Sequence, residues 1–273
     1  MTGLLTVGRL SDDLRRLAIA GGDLVMVHAS MRAIGQVEGR AQGVVSALDQ
    51  AVGPDGTLLM NLGARDDWAW VNDRPEDERE ALLVESVPFD YLDSPADPDN
   101  SVLAEVFRQT PGTSVNDHPD GRFGGRGRLA HQLLANPPWD DYYGPGSLLE
   151  RFVRSGGKIL RLGADLSTVT LLHYAEYLVP IEPKRRVRRH HLVTGRNGPE
   201  VMIVESLDDS DGIVDYPGED YFAVLLRAYL DAERAIIGRV GHAPSELING
   251  PDLVEFAVAW MATHLGGPGA SRS

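Results

Sequence analysis

Asp23-Leu24-Val25-Met26-Val27-His28-Ala29-Ser30 is a compact, β-rich run that leads into a loop closed by Gly35. Such a run reads as a strand, and its neighbours show which kind of sheet it enters. Upstream, residues 11–21 open on Ser11-Asp12-Asp13, place apolar side chains at Leu14, Leu17, Ala18 and Ala20, and stop at Gly21-Gly22, the punctuation of a short amphipathic helix. Downstream, 43–53 reads as a second helix and Gly56-Thr57-Leu58-Leu59-Met60 as a second strand. Helix, strand, helix, strand is the order of an α/β sheet, whose sites gather at the strand ends.

Residues 61–100 break this pattern. Trp68, Trp70, several prolines and many acids give little periodicity before Ala81-Leu82-Leu83-Val84, so the stretch reads as an excursion of loops and short helices. Further helices are expected over 102–109, 148–154, 169–179, 222–232 and 252–264, and a strand over 158–163. A hairpin is expected from 191–194 and 200–204 around a turn at Gly195 to Gly198. No repeat or long linker divides the chain, which reads as one domain over 1–265 with a frayed tail at 266–273.

The 273 residues are 42% hydrophobic and 24% charged, enough for a sizeable core. The absence of cysteine excludes disulfides, thiolate zinc sites and a cysteine nucleophile. Without a secretory leader, or a run near the roughly 18 apolar residues of a membrane span, a soluble cytoplasmic protein is expected. A net charge of −14 argues against nucleic acid and anionic membrane surfaces as partners. That charge is concentrated: 61–100 holds twelve acids against three arginines, and 205–220 holds seven acids and no base. On total charge alone solubility is the simpler reading, and a cationic partner stays open. The basic run Lys184-Arg185-Arg186-Val187-Arg188-Arg189 reads as local pairing with these acids or as part of an anion site.

Three stretches carry candidate chemistry. At Val27-His28-Ala29-Ser30-Met31-Arg32, a strand turning into a helix offers free N–H groups and the Ser30 hydroxyl to a phosphate or oxyanion, although Ser30 also reads as a plain N-cap. In Thr170-Leu171-Leu172-His173-Tyr174-Ala175-Glu176, spacings of three put a hydroxyl, a base and an acid on one helix face, or else make His173 and Glu176 a surface pair. In His118-Pro119-Asp120-Gly121-Arg122-Phe123-Gly124-Gly125-Arg126-Gly127-Arg128, glycines permit close approach and the arginines could meet phosphate, unless this is only an arginine-decorated turn.

Taken together, the motifs resemble those of the aminoglycoside 3-N-acetyltransferase family, from about residue 11 to 262. The resemblance rests on Val27-His28-Ala29-Ser30 with Gly35, Gly53-Pro54-Asp55-Gly56-Thr57-Leu58-Leu59-Met60, Leu103-Ala104-Glu105, Pro111-Gly112, His118-Pro119 and Tyr143-Gly144-Pro145-Gly146-Ser147. It continues through Thr170 to Glu176, Lys184-Arg185-Arg186, Asp220-Tyr221-Phe222 and Val240-Gly241-His242-Ala243. It implies a central mixed sheet flanked by helices, with the acidic excursion forming one side of the cleft. It further implies acetyl transfer from acetyl-CoA to the 3-amino group of a 2-deoxystreptamine aminoglycoside, conferring resistance, without a metal.

Residue by residue, the resemblance makes His173 the general base, with Asp220 or Glu176 orienting its ring and Thr170 near the thioester. Val27 to Arg32 would hold the cofactor, and Asp66, Asp67, Glu105, Tyr143 and Asp220 would fall near the aminoglycoside. Three departures touch the substrate range: Asn61 stands where the family usually has proline, the serine usually found after His-Pro is replaced in the region of Arg122, and Val115-Asn116 precede His118 where the family often has Arg-Ser. Two rival readings are a metal-dependent hydrolase using His118, Asp120, His173 and Glu176, and a binder that sequesters cations without chemistry.

Overall fold

The computed structural model describes residues 3–64, 69–84 and 86–266. Asp66 and Asp67, expected at the substrate, and residues 267–273 of the expected tail lie outside the described residues. Among the described residues seven strands form one mixed sheet: β1 (Leu24–Ala29), β2 (Thr57–Asn61), β3 (Ser114–Val115), β4 (Phe123–Gly127), β5 (Lys158–Leu162), β8 (Ile236–Val240) and β9 (Ala243–Asn249), in the order β3-β4-β2-β1-β5-β9-β8. The remaining strands, β6 (Arg186–Gly195) and β7 (Gly198–Leu207), make a separate antiparallel hairpin. The run that decided the fold is the central strand, parallel to β2 on one side and β5 on the other. Antiparallel strands complete the sheet on both flanks.

Strand alternation assigns the two faces. On β1, Leu24 and Met26 enter one core and Val25 and Val27 the other; on β5, Ile159 parts from Leu160 and Leu162 in the same way. The Val25 face is covered by α1 (Val7–Arg16), α2 (Met31–Ile34), α3 (Arg40–Val52) and α5 (Ser101–Gln109). The Met26 face is covered by α6 (Ala130–Leu134), α7 (Leu148–Arg154), α8 (Leu172–Leu178), α9 (Tyr221–Asp231) and α10 (Gly250–His264). Val25 and Met26 are fully buried, and each such side chain contributes about 1.5–3 kcal/mol of burial free energy. The expected α/β architecture, a mixed sheet flanked by helices, is the one observed.

Three local expectations are corrected. Ser11-Asp12-Asp13 does not start the first helix: Thr6 caps it through Arg9 N–H, and Asp13 is buried in mid-helix, accepting Gly241 N–H at 3.0 Å. The Gly-rich stretch after His118 is no phosphate turn but strand β4. Gly125 packs closely under Leu59 and Leu134, and Gly127 must be glycine: its φ is +106° and a Cβ there would lie 2.1 Å from the Gly56 carbonyl oxygen. Finally, the helix expected over 169–179 begins only at Leu172, so Thr170 lies in the turn before it. The β8–β9 hairpin was not anticipated.

The acidic excursion contains 3-10 turns at Ala69–Asp73 and Pro98–Asn100 and helix α4 (Glu76–Leu83), and it is laid against β6. Asn72 accepts His190 N–H at 2.7 Å, and Phe89 exchanges backbone bonds with Leu192 and Thr194 at 2.7 and 2.8 Å. Arg122 fastens the other end. Completely buried, its guanidinium donates to the carbonyls of Gly63 and Pro95 at 3.2 Å, Tyr91 at 2.6 Å and Ser94 at 2.8 Å. Excursion and hairpin thus become two facing walls.

Candidate active site

His173 stands on the first turn of α8, in the segment that follows the carboxyl end of β5, the neighbour of central strand β1. Gly163 makes the exit from β5 possible, with φ +63° and a position where a Cβ would meet Ala33 Cβ at 2.4 Å. Val169 and Leu171 are then fully buried, which pins the turn, and Thr170 C=O accepts His173 N–H at 3.1 Å. One helical turn on, Glu176 lies on the same face and its Oε2 is 2.8 Å from His173 Nδ1. Glu176 is 1% exposed, and its Oε1 accepts the Tyr221 hydroxyl. The imidazole is clamped flat against Tyr143, with ring centroids 5.1 Å apart and planes 11° from parallel, while Phe222 meets it edge-on at 4.8 Å.

This arrangement sets the tautomer. A carboxylate facing Nδ1 holds the proton there and leaves the Nε2 lone pair free. Burial pulls the His173 pKa down, but the charge and hydrogen bond of Glu176, with smaller help from Asp209 and Asp220, outweigh burial and raise it above the ordinary histidine value. The surface-pair reading of His173 and Glu176 is therefore excluded, because the carboxylate has no solvent to face.

The other expected residues divide. Asp220 does not hydrogen-bond the histidine: its Oδ1 caps α9 by accepting Phe222 N–H at 2.7 Å, and its direct action on His173 is through charge. Tyr143, expected against the substrate, is the ring stacked on His173, and Asn61 hydrogen-bonds its hydroxyl. Glu105, expected at the substrate, is saturated internally by Ala96 N–H, the Arg108 guanidinium and Gln109. Val27, His28 and Ala29 line a narrow cavity of about 70 Å³ at the strand ends, with Asn61, Ser101 and Thr168 opposite. Ser30 caps the short α2 through Ala33 N–H at 3.4 Å, Met31 opens that helix, and Arg32 is exposed.

Between excursion and hairpin lies a cleft of about 1350 Å³. Its described lining carries eight carboxylates and four arginines, so the expected acidic cleft is present with the excursion as one wall. The arginines come largely from the basic run, and that run is paired as expected: Arg185 with Asp215, Arg186 with Asp141 and Glu205, Arg188 with Glu76, and Arg189 with Asp209. His173 does not line the cleft; Asp209 links the two, lining the cleft, accepting the Tyr142 hydroxyl at 2.6 Å and acting on His173 by charge. Asp120, in the same wall, holds His191 at 3.0 Å. Asp209 and the Asp120–His191 pair were missed because only the folding of the hairpin brings them to the site.

The metal-hydrolase reading loses its ligand set. His118 spends both ring nitrogens on backbone, Nε2 on Trp139 C=O at 2.7 Å and Nδ1 on Gly121 N–H at 2.8 Å. Among the described residues no group of three or more His, Asp or Glu side chains is arranged to hold a metal ion. Nor, among them, is any helix long and apolar enough to cross a membrane.

Comparison with known proteins agrees with this geometry. Residues 26–262 match the family model described as aminoglycoside 3-N-acetyltransferase. The aminoglycoside N(3)-acetyltransferase VIII of Streptomyces fradiae is 39% identical over 270 residues, covering 97% of this chain and 94% of that protein. The solved structure of AAC-IIIb in binary complex with CoASH superposes with a TM-score of 0.91 at 35% identity, covering 97% of this chain and 99% of the other. Sisomicin-bound AAC-VIa superposes with a TM-score of 0.89 at 34% identity, covering 96% and 99%.

Proposed function

The chain belongs to the aminoglycoside 3-N-acetyltransferase family, and from that premise we propose that His173 Nε2 is the base that takes the proton from the 3-amino group of the aminoglycoside. The reaction is acetyl-CoA-dependent N-acetylation, and its outcome is aminoglycoside resistance. The single observation that carries the assignment of the base is the His173 Nδ1 to Glu176 Oε2 contact of 2.8 Å inside an aromatic clamp. It fixes the proton on Nδ1 and presents Nε2 as a lone pair with little freedom to turn away.

An alkylammonium has no lone pair, so the amine must first lose a proton to become a nucleophile. That first proton leaves to water; Nε2 takes a second from the amine nitrogen as the nitrogen bonds to the thioester carbonyl carbon, and the carbon–sulfur bond breaks with its electron pair going to sulfur. The imidazolium then returns a proton to the departing thiolate. Glu176 stabilises the cation between those steps. No acetyl-enzyme is needed, in keeping with a chain that has no cysteine.

The acidic cleft supports an aminoglycoside site beside the base: its carboxylates exceed its arginines, and most of those arginines are neutralised by partners. The narrow cavity at the ends of β1 and β2 supports a cosubstrate site, where Val27 to Ala29 and Thr168 would hold acetyl-CoA, and Thr170, in the turn before α8, would stand near the thioester carbonyl. Since acetyl-CoA is made and spent in the cytoplasm, the reading places the enzyme there. The test is His173→Ala assayed by CoA thiol release from acetyl-CoA with an aminoglycoside bearing a free 3-amino group. A loss of several orders of magnitude with aminoglycoside binding retained is expected; near-normal turnover removes His173 from the base role. Stoichiometric binding with no thiol release from the unmodified enzyme would restore the binding-only reading.

A further inference from the structure

The carboxylate that serves His173 is shared. Glu176 is 1% exposed and has two oxygens: Oε2 faces His173 Nδ1, and Oε1 accepts the Tyr221 hydroxyl. That hydroxyl also accepts Ile213 N–H at 3.2 Å, so its one proton is directed at Glu176. The site is shaped for this ring. Gly212 has φ +79°, and a Cβ there would lie 2.6 Å from Tyr221 Cε1 and 3.0 Å from its hydroxyl oxygen. Burial first, and Glu176 second, push the Tyr221 pKa far up, so it remains a donor wherever histidine titrates.

The geometry points to Tyr221 as a positioning residue that holds Glu176 in place and, by drawing on its charge, keeps His173 from becoming too basic to be free at neutral pH. A carboxylate facing a buried imidazole raises its pKa; left unshared it would raise it further, and a base that is already protonated removes no proton. Tyr221 lowers that ceiling while fixing the carboxylate rotamer. The other groups bearing on the pair are few. Asp209, Asp220 and the stacked Tyr143 face His173, and Lys184 acts on Glu176 from the segment after α8. Of these, Lys184 spends its ammonium on the Tyr177 carbonyl at 3.3 Å, and the two aspartates are acceptors. The inference rests on His173 being the base, so its test must read His173 itself.

The experiment is an NMR titration of the His173 ring together with the pH profile of kcat/KM, in the unmodified enzyme and in Tyr221→Phe. Removing the hydroxyl is expected to move the His173 pKa upward by about half a unit to one unit and to carry the acid limb of the profile with it, while the KM for acetyl-CoA stays within about twofold. Placing 3-fluorotyrosine at position 221 keeps the hydroxyl and the packing but makes it a stronger donor, so the pKa should fall; this variant decides the matter if Tyr221→Phe does not fold. In a Glu176→Gln background, Tyr221→Phe should leave the His173 pKa where it was. A His173 pKa unmoved, or moved the opposite way, overturns the proposal. A pKa that moves as stated while the rate profile does not follow upholds Tyr221 and overturns His173 as the base.

Discussion

Glu176→Gln preserves shape, and the structure determines which way the new amide must turn. The Tyr221 hydroxyl accepts Ile213 N–H and donates to Glu176 Oε1, so it still requires an acceptor at that position. The amide oxygen therefore faces Tyr221, and the NH2 faces His173 Nδ1. An NH2 there needs a lone pair on Nδ1, which drives the ring proton to Nε2, the atom that must be free. Two losses combine: the tautomer is wrong, and no carboxylate balances the imidazolium. In the serine-protease triad the equivalent acid-to-amide change lowers kcat by about 10⁴, a barrier increase of about 5.5 kcal/mol. Here Tyr143 and Phe222 hold the ring against turning, and a loss of at least about 10³, or 4 kcal/mol, is expected. Thiol release measured across the neutral and acid range carries a second signature. In the native enzyme activity falls as pH drops through the raised His173 pKa; with Glu176 neutralised, burial dominates and the limb moves to lower pH. A variant within tenfold of the native kcat/KM, or with an unmoved acid limb, refutes the reasoning.

Arg122→Met should destabilise the fold by about 3–5 kcal/mol, since four carbonyls lose a buried charged donor; denaturant unfolding measures this. The same variant should raise the aminoglycoside KM more than the acetyl-CoA KM because the excursion wall loosens, and a loss below about 1 kcal/mol would show that the wall is held by other contacts. His28 is driven down to about 4 by burial and by the Arg161 charge, so folding keeps it neutral where the unfolded chain would protonate. Its contribution is present above the unfolded value of 6.5 and is lost as pH falls toward 4, up to about 3 kcal/mol; His28→Gln should flatten that part of the stability–pH curve, and a variant with the native slope would contradict the shift. Raising ionic strength from about 0.05 to 0.3 M, which more than halves the screening length, should raise the aminoglycoside KM several-fold. A flat response would mean the carboxylates of the cleft do not steer the substrate.

Local pattern made much of the fold legible. β1, β2 and β5 were signalled by compact apolar runs that are buried almost throughout, and α3, α5, α7, α9 and α10 by apolar spacing and punctuation. What escaped was written in long-range packing. The glycines of β4 lie under Phe107 and Leu62 at Gly124, under Leu59, Leu134 and Ala130 at Gly125 and against the Gly56 carbonyl at Gly127, and none of these neighbours is adjacent in sequence. Ser11-Asp12-Asp13 reads as a helix start because Ser and Asp favour N-caps; Asp13 instead accepts Gly241 N–H, 228 residues away.

The site follows the same division, and the division has a chemical reason. His173 and Glu176 are three residues apart on one helix, so spacing alone could pair them. Choosing between Glu176 and Asp220 was beyond spacing, because the choice depends on where the Asp220 carboxylate goes, and it goes to the Phe222 N–H of its own helix. The residue beside it, Tyr221, is the one that α9 delivers to Glu176. Asp220 thus serves the base indirectly: by capping α9 it fixes the first turn, and that turn carries both the Tyr221 hydroxyl and the Phe222 edge that closes on the imidazole. The acidity of 205–220 then has two separable functions. Asp209 gives the cleft its charge beside the base, whereas Asp220 is spent on geometry. Neutralising Asp209 should therefore alter how strongly a cation is held, and neutralising Asp220 should alter how well the base is aimed.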